Sequence, residues 1–280
     1  MNFFSLFKRN LLFKLKKKIN IDNDNNFKNS SLDHLFNYYN TDKGSVFNNN
    51  IGSGFSKFYE KHLNKFKNDK INILEIGSYN GASAAAFVKY FPNSKIYCLD
   101  INLRNFIYKS KKIFPFGIDS SNNKMLLSFL NKIDFFDKIK FFDIIIDDGS
   151  HMLSDQLFSL DYFYQHVKKK GFYIIEDYCF PEYFEHKNDV KEYKVSEVIS
   201  FINNGAKFSS KIITDKTIKE INTTVKNIHV YKGNRQISDI VFFEKNKIIF
   251  FSLRVDCNSP FSYISLTISQ PPTNSFFIYN

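Results

Sequence analysis

The segment from Asn72 to Gly81, N-I-L-E-I-G-S-Y-N-G, constrains this chain more than any other. Ile71, Ile73, Leu74 and Ile76 make a short apolar run that holds the carboxylate Glu75 and passes through Gly77 and Gly81 into an alanine-rich stretch from Ala82. A buried strand that turns through glycines into a helix lets the backbone pass close to a ligand lying across the carboxyl ends of a parallel sheet.

From residue 71 the pattern alternates. Strands are predicted at Ile71 to Ile76, Lys95 to Asp100, Ile113 to Ile118, Phe142 to Asp147 and Phe172 to Glu176, and helices at Ala82 to Phe91, Leu103 to Lys111, Asn123 to Asn131 and Ser154 to Lys168. Such alternation implies an α/β fold, a Rossmann-like doubly wound and mostly parallel sheet. Three later apolar runs, Asn227 to Tyr231, Asp239 to Glu244 and Lys247 to Leu253, are expected as antiparallel closing strands. Upstream, Ser31 can cap a helix through Leu32, Leu35, Phe36 and Tyr39, and Phe55 to Phe66 carries a second helical pattern. The division expected is a basic amphipathic segment and linker over 1–30, a helical cover over 31–70, the α/β domain over 71–254, and a tail over 255–280 with no clear period.

The net charge of +11 raises the question of nucleic acid. Lys8, Arg9, Lys14, Lys16, Lys17 and Lys18 give +6 with no acid in the first twenty residues, leaving +5 for the rest. Arginine, the preferred reader of bases, occurs only at Arg9, Arg104, Arg235 and Arg254, so a nucleic-acid substrate is not expected. Residues 1–20 alternate apolar and basic side chains. They suit either weak peripheral contact with an acidic membrane surface or a helix packed on the domain. Cys98, Cys179 and Cys257 are widely spaced and lack zinc or CxxC spacing. A reducing, cytoplasmic setting is expected, with no apolar run near the ~20 residues of a membrane span.

Acidic residues stand at strand end after strand end: Glu75, Asp100, Asp119, then Asp147 with Asp148, then Glu176 with Asp177. Asp100, at the end of the second strand, can accept the hydroxyls of a ribose, which implies a nucleoside-containing ligand. The loop Gly77-Ser78-Tyr79-Asn80-Gly81 is not G-x-G-x-x-G, and Glu75 would face a pyrophosphate. A cationic ligand without phosphate, such as S-adenosylmethionine, fits both facts.

L-E-I-G-S-Y-N-G-A-S followed by F-P-N-S-K-I-Y-C-L-D-I resembles motif I and the next strand of class I S-adenosylmethionine-dependent methyltransferases. F-D-I-I-I-D-D-G-S-H and K-K-G-F-Y-I-I-E-D-Y, with Y-N-T-D-K-G and F-Y-E-K-H-L upstream, are similar to the metal-dependent sugar O-methyltransferases of macrolide and rhamnosyl pathways and their cephalosporin-hydroxylase-like relatives. The resemblance covers residues 31–245. It implies His151 as general base, Asp148 and Asp177 as ligands of Mg²⁺ or a similar cation with Glu176 as a third candidate, and Glu75, Gly77, Ser78, Gly81, Asp100 and Asp119 along the cofactor. The acceptor implied is a sugar or glycosylated small molecule. The chain departs from that pattern at Ser53-Gly54-Phe55, at Ile118-Asp119-Ser120 and at Tyr178-Cys179-Phe180-Pro181.

Plainer roles stand beside these. Asp147 and Asp148 could cap the next helix, His151 could make one structural hydrogen bond, Thr41-Asp42-Lys43 could be a turn, and His62 and His229 could serve packing. A non-catalytic nucleotide-binding protein of the same fold, or a hydroxylase-like or NAD-dependent enzyme, remains open at this level. Oligomeric state is not legible.

Overall fold

The computed structural model describes residues 3–24, 27, 29–246, 251–255 and 264–268. At its centre is a seven-stranded sheet of β1 (Asn72–Ile76), β2 (Lys95–Asp100), β3 (Ile113–Gly117), β4 (Phe142–Asp147), β5 (Val167–Glu176), β6 (Val225–Lys232) and β7 (Asp239–Lys245). Their spatial order is β3-β2-β1-β4-β5-β7-β6; β7 runs antiparallel to both its neighbours, and the first five strands run parallel to one another. Chain order reverses between β1 and β4, which makes their carboxyl ends the place for a crevice.

The strands are nearly continuous runs of Ile, Leu, Phe and Tyr because both faces are covered. Ile73, Ile96, Cys98, Ile144, Ile146, Ile174 and Phe242 point to one core, and Leu74, Tyr97, Leu99, Ile145, Tyr173, Ile175 and Phe243 to the other. The first core is closed by α2 (Leu32–Tyr39), α3 (Ser56–Leu63) and α4 (Ala82–Tyr90), and the second by α5 (Asn123–Asp137), α6 (Leu153–Phe163), α7 (Val195–Asn203) and α8 (Asp215–Thr224). Ser31 caps α2 as expected, its side chain accepting from the His34 N–H. The small residues Ala84, Ala85 and Ala86 let α4 lie buried between the sheet and α2, where Phe87 meets the rings of Phe36 and Tyr59 at 5.3 and 5.4 Å. The cover shares this core with the α/β unit.

Several expectations are corrected. Leu103 to Lys111 is not a helix: a single turn at Leu103–Asn105 leads to Tyr108–Lys109, which pairs in parallel with Ile19–Asn20. The apolar spacing there is helical, but the backbone is taken by the N-terminal segment, as in Ile19 N–H to Ile107 O at 2.8 Å. Against that turn and β3 packs an N-terminal helix, α1 (Phe3–Leu15), with Leu6 buried and Asn10 donating to Gly117 O at 2.8 Å. The expected linker from Asp22 is tied down as well. Ser110 donates to the Asp22 carboxylate at 2.6 Å and Phe27 is buried against Tyr38 and Tyr39. Of the third late apolar run, residues 247–250 lie outside the described residues. Phe251–Val255 pairs with Ile264–Ile268 in a hairpin separate from the central sheet.

His62 of α3 is a packing residue: its ring lies 4.3 Å from His229 and 4.8 Å from Phe242, and it bonds the Tyr231 hydroxyl at 2.8 Å. Burial, then His229 and Lys61, push its pKa down to about 4. The folded state therefore binds fewer protons here than the unfolded chain, so the stability His62 contributes is present above about pH 6.5 and is lost as pH falls through about 4. His62→Phe should flatten that part of the acid limb in urea titrations at pH 4 to 7. Phe87→Ala should cost ~3–5 kcal/mol in the same assay at pH 7.

Candidate active site

Gly77 sits where β1 hands over to the loop, at φ +84°, and a Cβ there would fall 1.9 Å from the carbonyl oxygen of Asp148. Only glycine permits that approach, and Asp148 N–H donates to Ile76 O at 2.9 Å across it. The ends of β1 and β4 are thereby locked together at the reversal point. Beside this contact lies a cavity of about 210 Å³ whose lining includes Gly77, Asp100, Ile101, Asp119, Asp147 and Gly149.

Three of the six residues expected along the cofactor, Gly77, Asp100 and Asp119, line that cavity. Asp100 accepts the backbone N–H groups of Tyr79 at 2.7 Å and Asn102 at 2.6 Å. Each oxygen keeps a further lone pair for a ligand hydroxyl. Glu75, Ser78 and Gly81 lie outside its lining. Glu75 is fully buried and accepts from the Ser83 hydroxyl, while its Oε2 is buried without a partner among the described residues. Ser78 is buried with its hydroxyl on Glu75 O, and Gly81, at φ +78°, starts α4 over the Phe106 ring.

Asp148, His151 and Asp177 come from the ends of β4 and β5, and ligand atoms of all three lie within 4.8 Å of one another. His151, at φ +57°, and Asp177, at φ +51°, both adopt the left-handed conformation that side-chain-bearing residues seldom take. Burial, then the negative charges of Asp148 and Asp42, push the Asp177 carboxyl up to about 8. Its Oδ1 is buried and has no hydrogen-bond partner among the described residues. His151 lies 3.7 Å from the Asp148 carboxylate and 4.8 Å, ring to ring, from Phe180. Burial lowers its pKa, more than Asp148 raises it, so the imidazole is neutral at pH 7. Neither Asp147 nor Asp148 caps the following helix, whose N-cap is Met152. Asp147 accepts from Gly149 N–H at 3.3 Å, and burial raises its carboxyl to about 7.

Glu176 is engaged elsewhere. Its two oxygens accept from the Lys43 ammonium at 2.8 Å and from the Tyr59 hydroxyl, and it is not one of the clustered three. Lys43 is only 2% exposed and also bonds Asp148. Burial alone would lower its pKa, but Asp148 and Glu176 outweigh that and hold it well above the usual lysine value.

No family model matches the chain. Over 134 residues it is 29% identical to mycinamicin VI 2''-O-methyltransferase of Micromonospora griseorubida, covering 44% of this chain and 31% of that protein. Over 158 residues it is 29% identical to L-olivosyl-oleandolide 3-O-methyltransferase of Streptomyces antibioticus, covering 52% and 36%. The chain thus spans about a third of the length of these curated relatives. MycE methyltransferase from the mycinamycin biosynthetic pathway, solved in complex with Mg, SAH and mycinamycin VI, superposes with a TM-score of 0.57 at 23% identity, over 78% of this chain and 54% of that one. The chain has the class I methyltransferase fold.

Within this methyltransferase fold, two residues of the site escaped the sequence reading. Lys43 sits in Y-N-T-D-K-G and Tyr59 in F-Y-E-K-H-L, the two stretches that carried the upstream resemblance, and chemistry alone marked the first only as a turn. The Ser53-Gly54-Phe55 departure also has a structural role: Arg235, between β6 and β7, donates to Ser53 Oγ at 2.5 Å and pairs with Asp42 at 3.1 Å. Tyr178 and Cys179 are buried, whereas Phe180 lies against His151. Lys43→Met leaves Asp148 and Glu176 without their shared cation and should cost ~3–5 kcal/mol in chemical denaturation. Adding Glu176→Gln should recover part of that loss, because one buried charge is then removed.

Proposed function

We propose that this chain transfers a methyl group from S-adenosylmethionine to a hydroxyl of a sugar or glycosylated small molecule, assisted by Mg²⁺ or a similar divalent cation. The observation that carries the reading is the adjacency of two sites. Asp147 and Gly149 line the cavity with Gly77 and Asp100, and Asp148 between them joins His151 and Asp177. A donor held by the first would lie beside an acceptor held by the second. The relatives' names, with their macrolide and olivosyl acceptors, support the substrate class.

The residues fit a hard cation. Asp148 and Asp177 offer oxygens, one of them an orphaned buried atom, and a carboxyl raised by burial and then by its neighbours' negative charge is a group that a cation would return to its ionised form. When bound, such a cation lowers the pKa of an alcohol beside it. His151, neutral at pH 7, would take the hydroxyl proton as the oxygen gains the methyl group and S-adenosylhomocysteine leaves, and the Phe180 ring packs against its imidazole. Asp100 and Asp119 would orient the donor at the cavity, and the fixed contact between Gly77 and Asp148 would hold donor and acceptor sides in register.

Isothermal titration with S-adenosylhomocysteine should show saturable binding, and its absence would end the reading. His151→Ala should lower turnover ~10²–10⁴-fold with cofactor affinity retained. The tight grouping of its ring with both carboxylates also allows His151 to be a third metal ligand. Mg²⁺ titration of the variant separates the two roles, since a base leaves Mg²⁺ affinity unchanged and a ligand does not. Asp177→Asn should weaken Mg²⁺ binding and make the protein insensitive to EDTA in thermal melts; an unchanged EDTA response would count against metal at this site.

A further inference from the structure

Helix α1 shows two unlike faces. One faces the domain: Leu6 is buried, Phe13 meets the Phe106 ring at 6.1 Å, Asn10 bonds Gly117 O, and Arg9 donates to Ile101 O at 3.3 Å. On the other, Phe7 is 58% exposed, Leu11 47%, Leu12 41% and Leu15 76%. At 100° per residue Phe7, Leu11 and Leu15 form one stripe pointing away from the domain, with Leu12 on its edge, a pattern opposite to that of a surface helix that buries its apolar side. Exposed Lys8 and Lys14 flank the stripe and exposed Lys17 follows it. No acidic residue occurs among the first twenty positions to offset them.

We propose that this face is a docking surface for an anionic lipid membrane, with Phe7, Leu11, Leu12 and Leu15 inserted at the interface and Lys8, Lys14 and Lys17 against the headgroups. Apolar stripe and flanking cations together are what an interfacial helix requires, and a surface carrying only positive charge is a poor match for a second copy of itself. The anchor is hydrogen-bonded to the cofactor side of the molecule. Ile101, which takes the Arg9 bond, lines the cavity, and Gly117, which takes the Asn10 bond, ends β3 two residues before the cavity-lining Asp119. Docking through α1 would therefore hold the mouth of the cavity at a set angle and height above the bilayer. An acceptor displayed on the membrane, such as a lipid-linked glycan, would be reached more readily than a freely diffusing one. The docking itself does not depend on the methyl-transfer reading.

The test is co-sedimentation of the full chain with phosphatidylcholine vesicles and with vesicles containing a third phosphatidylglycerol, at low and high salt. Binding is expected to the anionic vesicles only, and to weaken as salt rises. Leu11→Ser with Leu15→Ser should reduce it at least ~10-fold, since each removes buried apolar area at the interface. Lys8→Glu with Lys14→Glu should reduce it roughly 30-fold, two basic residues at about 1 kcal/mol each. All four side chains are exposed, so the melting temperature should stay unchanged and report intact folding. Absence of binding to the anionic vesicles, or binding that both variants retain, overturns the proposal. So does a concentration-dependent dimer, seen by light scattering, that Leu11→Ser abolishes in a chain that ignores vesicles.

Discussion

The arrangement rests on one buried ammonium. Lys43 leaves the loop after α2, crosses to the carboxyl ends of two neighbouring strands and bonds Asp148 beyond β4 and Glu176 of β5, while Tyr59 of α3 takes the other Glu176 oxygen. Burial pushes the Glu176 carboxyl well above the usual carboxylate range while Lys43 pulls it the other way, and Lys43, buried just as deeply, keeps its charge because the acids beside it outweigh that burial. The consequence is mechanical as well as electrostatic, because the cover is pinned to the sheet at the edge of the crevice.

Around that pin the charges are unequal. Asp147 and Asp177 have carboxyls raised by burial, and Asp177 keeps an oxygen with no partner among the described residues. Lys43 answers two acids in a pocket that holds more, and the unanswered Asp177 carboxyl lies next to a neutral imidazole. That imbalance is what the proposed cation would complete, whereas a finished salt-bridge network would leave no acid over. The left-handed backbone at His151 and Asp177 agrees with it, as strain of this kind persists where surrounding structure holds a functional geometry.

Much of this was legible from strand-end chemistry. The alternation from residue 71 and the position of each acid at a strand's carboxyl end follow from a period of apolar residues and their punctuation, and the sheet reproduces both. Asp100, Asp119 and Gly77 share one cavity because consecutive parallel strands end on one side of a sheet. Glu75 was harder to place: a residue's register along a strand says which face it takes, and its side chain turns into the core toward Ser83. The helix expected over Leu103 to Lys111 failed because the competing partner, Ile19–Asn20, is about ninety positions away. Local periodicity carries no knowledge of such a partner.

By itself the sequence determined the class of sheet, the line of acids along its carboxyl edge and the basic character of the N-terminus, since each depends on the spacing of neighbours along the chain. Tertiary structure decided which acids meet a cation already present in the protein, which are left over, and which side of the N-terminal helix is turned outward. Those outcomes depend on Lys43 being brought to residues more than a hundred positions distant, and on Leu6 and Phe13 finding a surface assembled from remote segments. Contacts at that range are set by the packing of the whole, where the burial of every group is settled at once.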